Sequence, residues 1–213
     1  MALFEDMNKE FGILRYQMYT DDFRNNFGRK TSFYFRFKSA RGRMLIMLRV
    51  CYFLNKIQPG RSWALLFKLL RRIALVLLYR AEGRLCIEIS HTTKIGYGFY
   101  VPHPNGIIIH PKVEIGDNCM ILQQVTIGNN ISKGKDNLAI IGHNVTIGAG
   151  AKIIGPCKIG NNVVIGANAV VVKDVPDNCV VAGIPAKKIS TSVPPSHLGD
   201  YDSRESFENS LLF

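Results

Sequence analysis

From Ile89 onward the apolar positions of this chain recur every six residues. Ile89, Ile95, Val101 and Ile107 lead successive hexads, and after a slip of two residues Ile109, Ile115, Ile121 and Ile127 continue the series. A second slip follows, and Ile141, Ile147, Ile153, Ile159, Ile165 and Val171 complete it. Glycine directly follows many leaders (Gly96, Gly116, Gly128, Gly142, Gly148, Gly160, Gly166). The position four residues after a leader is small or β-branched: Thr93, Val113, Cys119, Val125, Val145, Ala151, Cys157, Val163, Ala169 and Val175. A period of six belongs to neither a helix nor a simple hairpin strand. A coil of short strands produces it: the leader fills the interior, the small residue fits a corner, and glycine permits the turn. Stacked coils pair their backbones and cover one another's apolar faces. The pattern predicts a mainly β domain, a solenoid over 85–189.

The pattern before it is helical. Between Arg41 and Arg80, Leu65, Leu66, Leu69, Leu70, Ile73, Val76 and Leu77 recur at three- and four-residue spacing, beside a stripe of Lys68, Arg71 and Arg72. Gln58-Pro-Gly-Arg-Ser breaks this region into two helices, with Ser62 as an expected cap. Two compatible readings of the helical pair compete: a hairpin packed over the end of the solenoid, or a hairpin whose basic, aromatic-rich face also rests on an anionic membrane surface. Residues 1–40 mix Tyr16, Tyr19, Phe23, Phe27 and other aromatics with basic side chains, which suggests short helices and turns. The polar insert of the second slip, 128–140, is expected to leave the coil as an extended loop. Residues 190–213, which open with Ser-Thr-Ser-Val-Pro-Pro, read as an acidic, flexible tail.

Charge sharpens this division. Residues 1–84 carry 17 Lys/Arg against 6 Asp/Glu, 85–189 carry 9 against 6, and 190–213 carry 1 against 4. The net charge of +11 therefore comes from the N-terminal region, which favours an anionic partner. The longest apolar stretches, 44–54 and 63–79, are broken by Arg49, Lys68, Arg71 and Arg72 and do not make membrane spans. Five cysteines at scattered spacings, with no Cys-x-x-Cys pair, and an acidic start without signal-peptide shape suggest a cytoplasmic setting, with peripheral contact at the inner membrane face as an option. Cys119 and Cys157 fall on the inward position and read as core filler. Asn118, Asn144, Asn161, Asn162 and Asn168 fall on turns.

One stretch carries chemistry. Val101-Pro-His-Pro-Asn-Gly holds His103 between two prolines in a glycine turn on a rigid scaffold, which suits a placed general base. His110 either contacts the acceptor or serves the turn; His91, His143 and His197 read as surface residues. No His-x-x-x-x-His pair is present, and no metal is expected.

These residues resemble the hexapeptide-repeat acyltransferases, and within them the serine O-acetyltransferase branch. The likeness covers 88–188, through Ile95-Gly-Tyr-Gly-Phe-Tyr-Val-Pro-His-Pro-Asn-Gly, Ile121-Leu-Gln-Gln-Val-Thr-Ile-Gly, Ile147-Gly-Ala-Gly-Ala-Lys-Ile-Ile-Gly and Ala182-Gly-Ile-Pro-Ala-Lys. The resemblance implies a left-handed parallel β-helix, an N-terminal α-helical segment and an extended loop. It also implies acetyl-CoA as acetyl donor, a trimer or a multiple of one, and no nucleic acid partner. His103 falls on the family's catalytic histidine and Glu88 on its carboxylate partner. Pro102, Asn105 and His110 fall around the acceptor. Gly128, Asn129, Ala149 and Ala167 fall along the pantetheine path, with a backbone N–H near Gly128 or Asn129 for the oxyanion. Lys187 and Lys188 either meet CoA phosphates or are solvated end charges.

Two departures bear on the acceptor. The family's acidic residue before the catalytic histidine is Pro102 here, and the loop's Arg-His pair aligns with Asn137-Leu138. With the basic, aromatic-rich N-terminal region, these departures resemble relatives that acetylate sugars in capsule, O-antigen or exopolysaccharide synthesis. The expectation is an O-acetyltransferase acting on a glycan, free or lipid-linked. Serine O-acetyltransfer in cysteine biosynthesis is the alternative, and a non-catalytic solenoid scaffold is a third.

Overall fold

The computed structural model describes residues 10, 12–15, 17, 18, 21, 39–59, 61–130 and 138–193. The aromatic residues Tyr16, Tyr19, Phe23 and Phe27, loop residues 131–137, His197 and the tail beyond 193 lie outside these. Directly before the β domain stand the helices α1 (Ala40–Lys56) and α2 (Ala64–Leu85), and residues 12–15, earlier in the chain, are helical as well. Ser39 caps α1, its Oγ accepting the Gly42 amide at 2.9 Å. The expected cap of α2 differs. Ser62 sits in a 3₁₀ turn, Arg61–Trp63, and the N-cap is Trp63 with no side-chain bond. At the other end Cys86 closes α2 in the left-handed region, φ 51°, its amide donating to Glu82 O.

Among the described residues fourteen short strands follow, wound into three sheets. One holds β1 (Glu88–Ile89), β3 (Ile108–Ile109), β6 (Thr126–Gly128), β9 (Lys152–Ile154) and β12 (Val170–Val171). The second holds β2 (Lys94–Ile95), β4 (Glu114–Ile115), β7 (Ala139–Ile141) and β10 (Cys157–Ile159). The third holds β5 (Met120–Ile121), β8 (Thr146–Ile147), β11 (Val163–Ile165), β13 (Cys179–Gly183) and β14 (Ala186–Ser190). All pairings are parallel except β13 with β14, an antiparallel hairpin that ends the stack. The chain passes the sheets in rotation, so each circuit is one coil.

The hexad leaders and the small positions all point inward. Val101, Ile107, Ile121, Ile127, Ile147, Ile153 and Ile165 are fully buried, as are Val113, Cys119, Val125, Val145, Ala151 and Ala169. Cys157 is filler of the same column; burial first, then the Asp174 charge, raises its thiol pKa to about 11. At the corners Asn118, Asn144, Asn162 and Asn168 adopt left-handed φ, as does Asn178. Asn161 does not; its side chain instead accepts the His143 amide at 2.8 Å.

The two slips are insertions at corners. A regular coil takes 18 residues, as in the pairing of Ile108 with Thr126 or Lys152 with Val170. Glu88 pairs with Ile108 and Lys94 with Glu114, each a step of 20. Tyr100 bridges Met120, again 20. The two additional residues therefore lie between Tyr100 and Ile108, in the corner that carries His103. Thr126 pairs with Lys152, a step of 26, which places the second insertion between β6 and β7.

A buried ion pair is among the groups that join the helices to the first coil. Arg49 on α1 donates from Nε to Asp21 Oδ2 at 2.8 Å and from Nη2 to Oδ1 at 3.1 Å. It also donates to the carbonyls of Ile95 and Gly96, both at 2.6 Å, while Asp21 accepts the Phe99 amide at 2.8 Å. The hairpin does pack on the solenoid end, through Met44, Leu48, Ala74, Leu78 and Ala81. The leucine series of α2 faces elsewhere: Leu65, Leu69, Ile73 and Val76 are exposed.

Candidate active site

The corner from Val101 to Ile107 begins and ends on fully buried side chains. The residues between them are lifted away from the interior by the two-residue insertion. Pro102 and Pro104 each fix φ, and the Asn105 amide donates to His103 O at 2.9 Å, closing a tight turn. Gly106 follows at φ +63°. Its amide donates to Cys86 O at 2.9 Å, while Asn105 O accepts the Gln124 amide at 2.8 Å. The corner is thus held from the coil before it and the coil after it. His103 is exposed at its apex.

Glu88 begins β1 with its side chain outward, and its amide donates to Ile107 O at 2.8 Å. Both expected partners therefore sit around the same corner, on successive coils. The ring of His103 and the carboxylate of Glu88 have no hydrogen bond to each other or to another described residue. Catalytic hydrogen bonds of this kind commonly close only around bound substrate.

Two neighbours escaped the sequence pattern. Arg41 on α1 donates from Nη1 to Pro102 O at 3.3 Å, so the residue before His103 is held by a helix 61 positions away. Glu82 lies buried at the end of α2, with Oε1 accepting the Ile89 amide at 3.2 Å. Its pKa rises from 4.5 to about 7: burial raises it most, the Ile89 hydrogen bond lowers it, and the Glu88 charge raises it. Neither residue belongs to a local motif, and only the fold brings them to the corner.

His110 lies at the other end of β3 from the His103 corner. Its Nδ1 accepts the Lys112 amide at 3.2 Å, so in this chain it braces a turn. His143 is exposed, its Nδ1 accepting the Asp117 amide at 3.0 Å. His91, expected on the surface, is half-buried, and burial first and Arg71 second lower its pKa.

Several expected cofactor contacts form a column on the His103 corner. Gln124 N bonds Asn105 O, Gly150 N bonds Gln123 O at 2.9 Å, and Asn168 N bonds Ala149 O at 2.8 Å, a continuous ladder down one edge of the solenoid. Ala149 and Ala167 stand on it. Close backbone approach is required here: a Cβ on Gly148 would lie 2.6 Å from the Ala167 amide nitrogen. Below, Lys187 pairs in register with Ala182 and Lys188 with Val181, both exposed on β14. Gly128 and Asn129 stand apart from this ladder, at the far end of the sheet that holds β3, where Gly128 O accepts the Gly155 amide at 2.9 Å. Leu138 packs against the core. Two shallow depressions lie on the second sheet, one around Tyr52, Lys94 and Glu114 and one around Ile140, Lys158 and Asp174.

Comparison with known proteins follows the same lines. The bacterial transferase hexapeptide family (six repeats) matches residues 139–173. A serine acetyltransferase of Mycobacterium tuberculosis (strain ATCC 25618 / H37Rv) is 42% identical over 118 residues, covering 55% of this chain and 51% of that protein. The chain thus spans about half the length of the curated relatives it matches. Among solved structures, soybean serine acetyltransferase superposes with TM-score 0.67 at 29% identity, covering 88% of this chain and 74% of that one. A serine acetyltransferase in complex with CoA superposes with TM-score 0.64 at 25% identity, covering 88% and 74%. The chain has the architecture of the solved serine acetyltransferases, N-terminal helices leading into a parallel three-sheet β-helix of hexapeptide repeats.

Proposed function

We propose that this chain transfers an acetyl group from acetyl-CoA to a hydroxyl, with His103 as general base. The observation that carries this reading is the enlarged corner: two additional residues present a histidine whose ring bonds no described residue, at the head of a ladder of small residues. Neutral His103 takes the hydroxyl proton as the oxygen attacks the acetyl carbon, and returns it to the departing thiolate. Glu88, on the preceding coil, fixes the ring tautomer and stabilises the imidazolium. Ala149 and Ala167 leave room for the pantetheine arm, and Lys187 and Lys188 offer charge to the CoA phosphates. A backbone N–H near Gly128 or Asn129 stabilises the oxyanion. That group belongs to a different corner from His103, and two copies side by side in a trimer bring the two sets together.

For the acceptor, the relatives favour L-serine over the glycan expected from the sequence. The matched proteins are serine acetyltransferases, and one superposed structure holds CoA. A second reading keeps a sugar hydroxyl as acceptor, because Pro102 and Leu138 stand where the family has an acidic residue and the histidine of its loop pair. Free serine needs charged partners for its ammonium and carboxylate, and neither residue supplies one. The test is CoA release with L-serine beside a panel of sugar acceptors, read by a thiol reagent and by acetylated product mass. Serine turnover well above the acceptor-free rate supports the first reading. Turnover confined to a sugar supports the second, and none above the no-acceptor rate with any hydroxyl defeats both.

A further inference from the structure

We propose that the exposed face of α2 docks this protein on an anionic phospholipid surface. α2 presents Leu65, Leu69, Ile73 and Val76 along one side, flanked by Leu66, Leu70 and Leu77, and Leu65 is 81% exposed. The opposite side, with Ala74, Leu78 and Ala81, is the one packed on α1 and the first coil. No described residue covers the apolar side. A contiguous face of this size on a helix whose other face is already used needs an occupant.

Charge selects it. Lys68 and Arg72 run along one edge of the apolar stripe, and Arg80 and Arg84 stand at its C-terminal end, all exposed. The single acidic residue of α2, Glu82, is buried and turned to the β domain. The rim is therefore of one sign. A second copy seated on the same face would set these cations against their equivalents, whereas a layer of phosphate headgroups complements them. Trp63 and Tyr79, 53% and 60% exposed, stand near the two ends of the face, where amphipathic aromatics favour the headgroup level. No described helix is long and apolar enough to cross a membrane, so the arrangement is a helix lying in the interface plane.

The test uses the full chain with sedimented vesicles of phosphatidylglycerol and phosphatidylcholine, roughly 3:7, and of phosphatidylcholine alone. Expected is sedimentation with the anionic vesicles that weakens with added salt, and about tenfold weaker binding for Leu69→Glu/Ile73→Glu. Lys68→Gln/Arg72→Gln should lower affinity for the anionic vesicles and leave the weak binding to neutral ones unchanged. Light scattering and thermal midpoints of the same variants are read in parallel. Equal sedimentation with and without anionic lipid overturns the proposal. So does loss of oligomer mass in Leu69→Glu/Ile73→Glu without vesicle binding by the parent, which would put a second copy on the face. A fall in its midpoint without vesicle binding by the parent would instead put another segment of the same chain there, with the same consequence.

Discussion

The amide of Gly106 donates to the carbonyl of Cys86 at 2.9 Å, and this bond, beside that from the Glu88 amide to Ile107 O, joins the corner of His103 to the segment that starts β1. Gly106 makes it from the left-handed region, φ +63°, with Gln124 Cγ 3.4 Å from where a Cβ would stand. Gly106→Ala should therefore cost about 1–2 kcal/mol, read as a lower urea midpoint. It should also lower kcat more than it raises KM for acetyl-CoA, because His103 moves and the cofactor ladder does not.

Glu82 makes stability depend on pH with a definite sign. Its folded pKa, about 7, lies above the ordinary 4.5. The folded state then holds the proton more tightly, so stability is full below about 4.5, falls as pH rises toward 7, and levels off above. The loss is at most about 3 kcal/mol. Glu82→Gln keeps an oxygen for the Ile89 amide and should flatten urea midpoints measured between pH 5 and 8. A slope as steep as in the parent protein would place the titrating group elsewhere.

The ladder residues separate stability from binding. Ala149→Leu and Ala167→Leu add outward bulk and should raise KM for acetyl-CoA about tenfold, some 1.4 kcal/mol, with thermal midpoints near the parent value. Gly148→Ala, whose Cβ would meet backbone at 2.6 Å, should instead lower the midpoint.

Arg49 is the cross-brace between helices and β domain. Arg49→Met removes the guanidinium that pairs with the buried Asp21 carboxylate, and should destabilise by about 3–5 kcal/mol. Adding Asp21→Asn should recover part of that loss in a double-mutant cycle by urea melts.

The period of six made the solenoid legible because each leader and each small residue occupies a fixed place in a repeating coil. The slip between Ile107 and Ile109 was visible as well, and its meaning is the enlarged corner under His103. The contacts that hold this corner were not legible. Arg41 reaches Pro102 across 61 positions and Glu82 reaches Ile89 from the end of a helix, and neither leaves a local pattern. Which side of α2 faces the core was not legible either. Helical spacing shows that Leu65, Leu69 and Ile73 share a face, yet the small residues Ala74 and Ala81 are what allow the opposite face to approach the core. Acceptor choice was read from departures at Pro102 and Leu138, whereas the matched relatives are serine acetyltransferases.

The central claim is that His103 takes the acceptor proton. Steady-state CoA release with the accepted hydroxyl substrate, compared between the parent chain and His103→Ala at matched folded fraction, tests it most directly. The account predicts a fall in kcat of about 10²–10⁴-fold with KM for acetyl-CoA little changed. Equal turnover in the two proteins would contradict it.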